Sequence, residues 1–331
     1  MKLLRVRQNL ISNPIQDIDA AVRSTLDGMA KTTPVPQGEV AITVGSRGIC
    51  NIPAIVKASG DWLRDHGAKP FIVPSMGSHN GATAEGQRAM IESLGCTEEA
   101  MGMPIRASME CVKVGEVPTG DVWMDKHCYE SDGVLVANRI KLHTCFSGPV
   151  QSGIVKMMVV GMGKIASATT FHSTPTDEMK HMLLEMGQFL LDSGKIWAGL
   201  AILEDGLDQT AELHAVPASE IMQTEPKLLD KHEEYFPSLP IKNLNVLVVD
   251  CIGKTYSGTG MDTNVIGFRG VKGHEDLELP DIKIIACLSL TPGSKGNALG
   301  VGLADFITRK LRNDIDEKKT FINAFTTGDM G

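Results

Sequence analysis

Apolar residues recur at Ile15, Ile18, Ala21, Val22 and Leu26, the spacing of one helical face, which predicts a helix over Ile15–Ala30. The Thr32-Thr-Pro-Val-Pro-Gln-Gly38 stretch that follows is a connector. Beyond it the pattern predicts a strand over Glu39–Val44, a helix over Ile52–Asp65 ending at Gly67, and a strand over Lys69–Val73. Strand, helix, strand reads as a right-handed βαβ unit of a parallel sheet. Both strands run into polar, glycine-containing loops, Gly45-Ser46-Arg47 and Gly77-Ser78-His79. Open α/β sheets bind ligands outside the carboxyl ends of their strands, so Arg47 and His79 are expected at one crevice. A helix is predicted over Ala84–Leu94, and a strand over Gly133–Ala137 whose end delivers Arg139, Lys141 and His143 to the same side. A helix over Thr176–Leu191 and a strand over Ile196–Leu203 follow. The segment Thr210–Lys242 is polar and contains proline, and the domain boundary is placed inside it. Strands over Leu244–Asp250 and Lys283–Leu290 and a helix over Leu299–Arg312 complete the pattern.

These elements predict an α/β protein of two domains with parallel-type sheets, residues 1–235 and 236–331, and the active site in the interdomain cleft, a favoured place for pockets. The closing residues Thr326-Thr-Gly-Asp-Met-Gly331 carry no obvious closing element, which raises a truncated C-terminus as an expectation. At 42% hydrophobic residues the chain has enough apolar material for sizeable cores. A net charge of −8 argues against a nucleic-acid partner, which favours a basic face. The sequence shows neither a signal-peptide pattern nor an apolar run of membrane-spanning length, so a soluble, cytoplasmic protein with no membrane partner is expected. The seven cysteines include no Cys-x-x-Cys pair, against an iron–sulfur or zinc–cysteine site, and reduced buried thiols are expected. Cys145 stands out because it lies beside His143.

The chemistry concentrates in the middle of the chain. Lys156 interrupts the apolar run Ile154-Val155 and Met157-Met158-Val159-Val160, with His143 before it and His172 after it. Burial lowers a lysine pKa and makes the amine nucleophilic, while imidazole serves as a metal ligand or a proton-transfer group. The ordinary alternatives are a snorkelling lysine, a turn histidine at His143, a helix-start histidine at His172, a surface-loop histidine at His79, and a surface ion pair at Arg47. A rival signal is Gly161-Met-Gly163-Lys-Ile-Ala166, which fits the G-x-G-x-x-A dinucleotide fingerprint with Glu185 further on. It makes a nicotinamide-dependent dehydrogenase the alternative enzyme, provided that Gly161 opens a helix after a strand. In the second half, Asp250-Cys-Ile-Gly253-Lys254 through Asn264 joins a strand end to glycines and hydroxyls, an anion nest in which Lys254 meets a carboxylate or phosphate. The Pro292-Gly-Ser-Lys295-Gly loop is a second candidate.

The order Arg47, Gly77-Ser78-His79, His143, Lys156, His172 resembles that of the nickel-dependent lactate racemase family, over roughly Leu10 to Asn264. The spacing from His143 to Lys156 is wider here, and Ser152-Gly-Ile-Val-Lys156 replaces the family's Gly-Gly-Arg-Lys ending, which suggests a separate branch. The resemblance implies a racemase or epimerase of 2-hydroxy acids, an isomerase using a nickel-pincer nucleotide in which nickel lies between two sulfurs and a ring carbon. It implies Lys156 as the covalent cofactor site, His172 as the metal ligand, Gly77 and Ser78 at the cofactor, and His79 and His143 as proton-transfer groups. It implies Arg47 at the substrate carboxylate or cofactor, and a lysine of the second domain, Lys254 or Lys295, facing the substrate. Expected partners are a small 2-hydroxy acid and the enzymes that make the cofactor. A non-catalytic member lacking the cofactor is the remaining alternative.

Overall fold

The computed structural model describes residues 4–271 and 276–326. Strand β1 (Glu39–Val44) alternates its side chains between two cores, as a period of two requires. Val40, Ile42 and Val44 face one core, with the helices Ile18–Ala30 and Ile52–Asp65, while Ala41 faces the other. β2 (Lys69–Pro74) pairs with β1 in parallel, Ile42 opposite Ile72. A hairpin of β3 (Cys111–Val117) and β4 (Gly120–Asp125) stands apart as its own antiparallel pair. β5 (Gly133–Arg139) returns to the other side of β1, followed by β6 (Ile196–Glu204) in parallel and β7 (Thr210–Pro217) antiparallel at the edge. The strand order is β2-β1-β5-β6-β7. The chain therefore leaves β1 in one direction and comes back on its other side, so the switch point lies between β1 and β5.

The second half builds a smaller core around Ile252, Ile285, Cys287 and Leu311. Short β8 (Asn243–Leu244) leads into β9 (Leu247–Ile252), and short β10 (Asp281–Ile282) into β11 (Ile285–Leu290). β12 (Phe306–Ile307) completes a three-stranded parallel sheet in the order β12-β11-β9. The chain is thus a mixed α/β protein rich in parallel pairing.

Several elements differ from the sequence-based expectation. The first helix starts at Ile18, where Asp17 caps the N–H of Ala20. The segment Thr210–Lys242, to which the sequence reading gave no element, holds β7 and the helix Ile221–Tyr235. Both carry apolar residues into the core that Ala41 faces, including Val216, Ile221, Leu228 and Leu229. The helix predicted over Leu299–Arg312 is instead a 3-10 turn at Val301–Leu303, β12, and a helix confined to Arg309–Asp314. Gly300 and Gly302 weaken the start of that stretch, and Thr308 caps the N–H of Leu311. Residues 327–331 lie outside the described ones.

A candidate active site at the carboxyl ends of the parallel strands

The β1, β2 and β5 ends deliver the predicted residues to one side of the sheet. Ser46 and Arg47 follow β1, His79 follows β2, and Arg139, Lys141 and His143 end or follow β5. Arg139 is taken up structurally by an ion pair with the buried Glu204 at the end of β6. The remaining groups come from a bent helix pair, Ile154–Gly161 and Lys164–Ser173, that turns through 106°. The turn follows a π-helical segment, Met157–Gly161, and Lys164 enters the second helix with φ +52°, a left-handed conformation rare for lysine. The bend brings Lys156 and His172 toward each other from opposite ends. Lys156 Nζ lies 5.4 Å from the Phe171 ring centre and 5.9 Å from that of Phe146. His143 stacks on the other aromatic of this pair, Phe146, with centroids 4.2 Å apart.

Charge interactions define the cluster. His79 feels Arg47, His172, Lys156 and Lys254, and His143 feels Lys156, His172, Arg269 and Arg47. Arg47 therefore acts on both histidines, and it also lowers the pKa of Lys156 and Lys254. Lys156, His143 and His172 keep partial access to water although protein surrounds them, so they line a concave space. Burial, the dominant cause throughout, favours the neutral forms. It pushes the Lys156 amine down to about 8 and His143 well below its ordinary value, and His79, packed into the site on one side but exposed at its rim, is lowered to about 4 by partial burial and then by the neighbouring cations. His172 is lowered by burial and then by Lys156. The imidazoles are accordingly neutral at pH 7, and a usable fraction of Lys156 is a free amine just above it.

The loop after β5 is held from the second half of the chain. Thr263 Oγ1 donates to Thr144 O at 2.5 Å, Asn264 Nδ2 donates to His143 O at 3.1 Å, and Arg269 Nη2 donates to Ser147 Oγ at 2.7 Å. Arg269 is a buried cation beside His143 that the sequence reading missed, and nothing in its local sequence marks it out. Lys254 approaches Arg47 and His79 while donating to Asn323. Lys295 is exposed on its own loop, and its backbone carbonyl accepts from Lys319.

Supporting groups fix the catalytic candidates from behind. The buried Glu225 carboxylate accepts from Val155 N at 2.9 Å and from Ile154 N, capping the helix that carries Lys156. Gly153 is required there, because a Cβ would sit 2.2 Å from Glu225 Oε1. Lys164 is fully buried, paired with Asp125 at 3.2 Å and bonded to Pro74 O and Gln87. Gln87 in turn donates to Gly77 O at 2.7 Å, so this network holds the loop on which His79 lies. Gly77 is buried with φ +60°, and Ser78 is exposed beside His79.

The dinucleotide fingerprint does not have its structural setting. Gly161 ends a π-helical turn rather than following a strand, and Gly163 precedes the helix Lys164–Ser173. Both glycines answer packing needs, since a Cβ at Gly161 would meet Met157 Sδ at 2.5 Å and one at Gly163 would meet Ser167 Oγ at 1.9 Å. Two half-open hollows lie elsewhere, one by Thr291, Pro292 and Gly296 of the second candidate loop and one by Glu39, Arg64 and Arg106, and neither is lined by Arg47, His79, His143, Lys156, His172, Lys254 or Lys295. Among the described residues no three His, Cys, Asp or Glu side chains group as a metal site. No single described helix is long and apolar enough to cross a membrane.

No family model matches the chain. No curated protein matches it either. Among solved structures, the lactate racemase apoprotein from Thermoanaerobacterium thermosaccharolyticum is similar at 15% identity and a TM-score of 0.49, over 74% of this chain. The match spans 63% of that protein's chain, and at this level it assigns no residue a role.

Proposed function

We propose that the chain is a racemase or epimerase that inverts C2 of a 2-hydroxy acid, with a nickel-pincer nucleotide tethered to Lys156. The site would lie in a cleft between an N-terminal domain, residues 1–235, and a C-terminal domain, residues 236–331. The observation that carries this reading is the convergence of Arg47, His79, His143, Lys156 and His172, from four separate segments, into one mutually interacting cluster.

The residues suit such a group. A pincer brings two sulfurs and a carbon to nickel, so one protein nitrogen completes a four-ligand set. His172 Nδ1 is buried without a hydrogen-bond partner. The Lys156 amine, its pKa lowered to about 8, is a competent nucleophile for a covalent tether. When bound, the group supplies an electrophilic carbon able to take and return the C2 hydrogen with its electron pair.

The chain does the rest. Arg47, exposed and without a hydrogen-bond partner among the described residues, offers two parallel N–H groups to the substrate carboxylate. Lys254 adds a second positive charge from the other half. His79 and His143 handle the hydroxyl proton, a neutral imidazole accepting it and an imidazolium, once formed, returning it, and such groups typically contribute ~10²–10⁴-fold each. Because the whole chain is acidic, attraction of an anion depends on this local excess of cations.

The test is a panel of 2-hydroxy acids and aldonates incubated in deuterated water, followed for stereochemistry. Inversion at C2 with the original hydrogen largely retained is expected. Complete exchange of that hydrogen with solvent would mean direct proton abstraction and would overturn the mechanism.

A further inference from the structure

We infer that Arg269 is an oxyanion-binding residue, a buried guanidinium placed to receive a carboxylate or phosphate oxygen. That an oxyanion binds there follows from the residue's own surroundings, whereas the group that carries the oxygen rests on the function proposed above.

Arg269 follows the short helix Thr263–Ile266 and the left-handed turn at Gly267, in the second half of the chain. Its side chain is 6% exposed. Taking a guanidinium out of water is costly unless an opposite charge replaces the water. Elsewhere the fold obeys this rule. The buried Lys164 is paired with Asp125, and Arg139 with Glu204. Arg269 has no such partner among the described residues. Asp276, the acid that acts on it, accepts from the Arg269 backbone N–H at 2.7 Å and not from the side chain. The partners of the guanidinium are neutral. Nη2 donates to Ser147 Oγ at 2.7 Å and to Asn264 Oδ1 at 3.4 Å. Nε is buried with no hydrogen-bond partner, and Nη1 makes no bond to a described residue. A neutral side chain could supply the single strong bond to Ser147. It would not leave a full positive charge and further N–H donors without a counterpart, as Arg269 does.

The hydrogen bonds also say where the counterpart belongs. Asn264, which accepts from Nη2, donates through its own Nδ2 to His143 O at 3.1 Å. Ser147 lies next to Phe146, whose ring stacks on His143. Arg269 is therefore fixed against the His143 loop from the second half of the chain, while Arg47 enters from the end of β1. An anion held between them would meet one guanidinium from each half. Two groups of the proposed reaction carry suitable oxygens, the carboxylate of the 2-hydroxy acid and the phosphate of the mononucleotide. A planar guanidinium binds either one through paired N–H donors.

The experiment is a calorimetric titration of the full-length, cofactor-free chain at neutral pH. Glycolate is the carboxylate probe and inorganic phosphate the other, and wild type is compared with Arg269→Met and Arg269→Lys. Arg269→Met is expected to weaken at least one probe roughly tenfold to a hundredfold. Arg269→Lys keeps the charge but not the paired donors, and is expected to fall between the two. A loss confined to glycolate assigns the substrate carboxylate, and a loss confined to phosphate assigns the phosphate of the cofactor. A reading on the wild type alone comes from the Arg269 Nε–H proton resonance, assigned with Arg269→Lys, which is expected to move downfield as the probe is added. Both probes binding Arg269→Met as tightly as wild type, or an Nε–H resonance that responds to neither, would overturn the inference. If binding depends on Arg269 but the cofactor-loaded protein turns over no 2-hydroxy acid, the proposed function fails and the anion site stands. If turnover is found and anion binding is indifferent to Arg269, the reverse holds.

Discussion

Lys156→Met isolates the cost of holding an ammonium group inside this site. Methionine keeps the length and flexibility of the side chain and removes its charge. The amine pKa falls from an ordinary 10.5 to about 8, chiefly through burial. A shift of that size corresponds to roughly 3 kcal/mol, an upper value because the side chain keeps partial contact with water. The loss of cation–π contact with Phe146 and Phe171 offsets about 1 kcal/mol of it. Lys156→Met is therefore expected to stabilise the protein by about 2 kcal/mol at pH 7. The sign follows from linkage. Below pH 8 the lysine is charged in both folded and unfolded chains, and the full penalty is present. Between pH 8 and 10.5 the folded protein releases its proton first and the penalty shrinks, and above 10.5 it is gone. The advantage of the variant must therefore fade across that interval. Urea unfolding followed by tryptophan fluorescence reads this directly, since Trp62, Trp123 and Trp197 all precede residue 236, in the part of the chain that carries Lys156. A variant less stable than wild type at every pH, or a difference constant from pH 7 to 10, would refute the buried, high-energy amine.

Two further substitutions probe the supporting groups. Burial holds the Glu225 carboxyl at about 7, so its own contribution to stability is fully present below pH 4.5 and falls by up to roughly 3 kcal/mol as pH rises through 7; Glu225→Gln is expected to remove that part of the pH dependence, and wild-type and variant curves that run parallel would contradict it. Lys164→Met leaves Asp125 buried without its cation, and a loss of about 3–5 kcal/mol in urea unfolding is expected, with partial recovery on adding Asp125→Asn; a loss under about 1 kcal/mol would contradict the pairing.

Much of the sheet was legible because its strands are long and bounded by glycine. β1, β2, β5 and β6 were readable to within two residues, and their carboxyl-end loops followed from the parallel topology. The same logic puts Arg47, His79 and His143 on one side of the sheet. The misreadings have physical reasons. The hairpin β3–β4 alternates weakly and is half-buried, so its period was hidden. The helix Ile221–Tyr235 contains Pro226 and many charges, and it is helical because Leu228 and Leu229 pack on the core that Ala41 faces, a tertiary effect that propensity does not register. The helical bend after Met157–Gly161 has no local sequence rule, yet it decides that Lys156 and His172 meet. Glu225 and Arg269 were invisible for a different reason, since each matters through a partner distant in sequence or on another loop.

The central claim is a covalent tether at Lys156, and intact mass with metal analysis tests it most directly. The full-length chain would be produced together with the enzymes that make the nickel-pincer nucleotide. The account predicts a single mass adduct mapped by peptide analysis to Lys156, absent in Lys156→Ala, with nickel bound and reduced in His172→Ala. No adduct on any lysine, or an adduct mapped instead to Lys164 or another lysine, would contradict it.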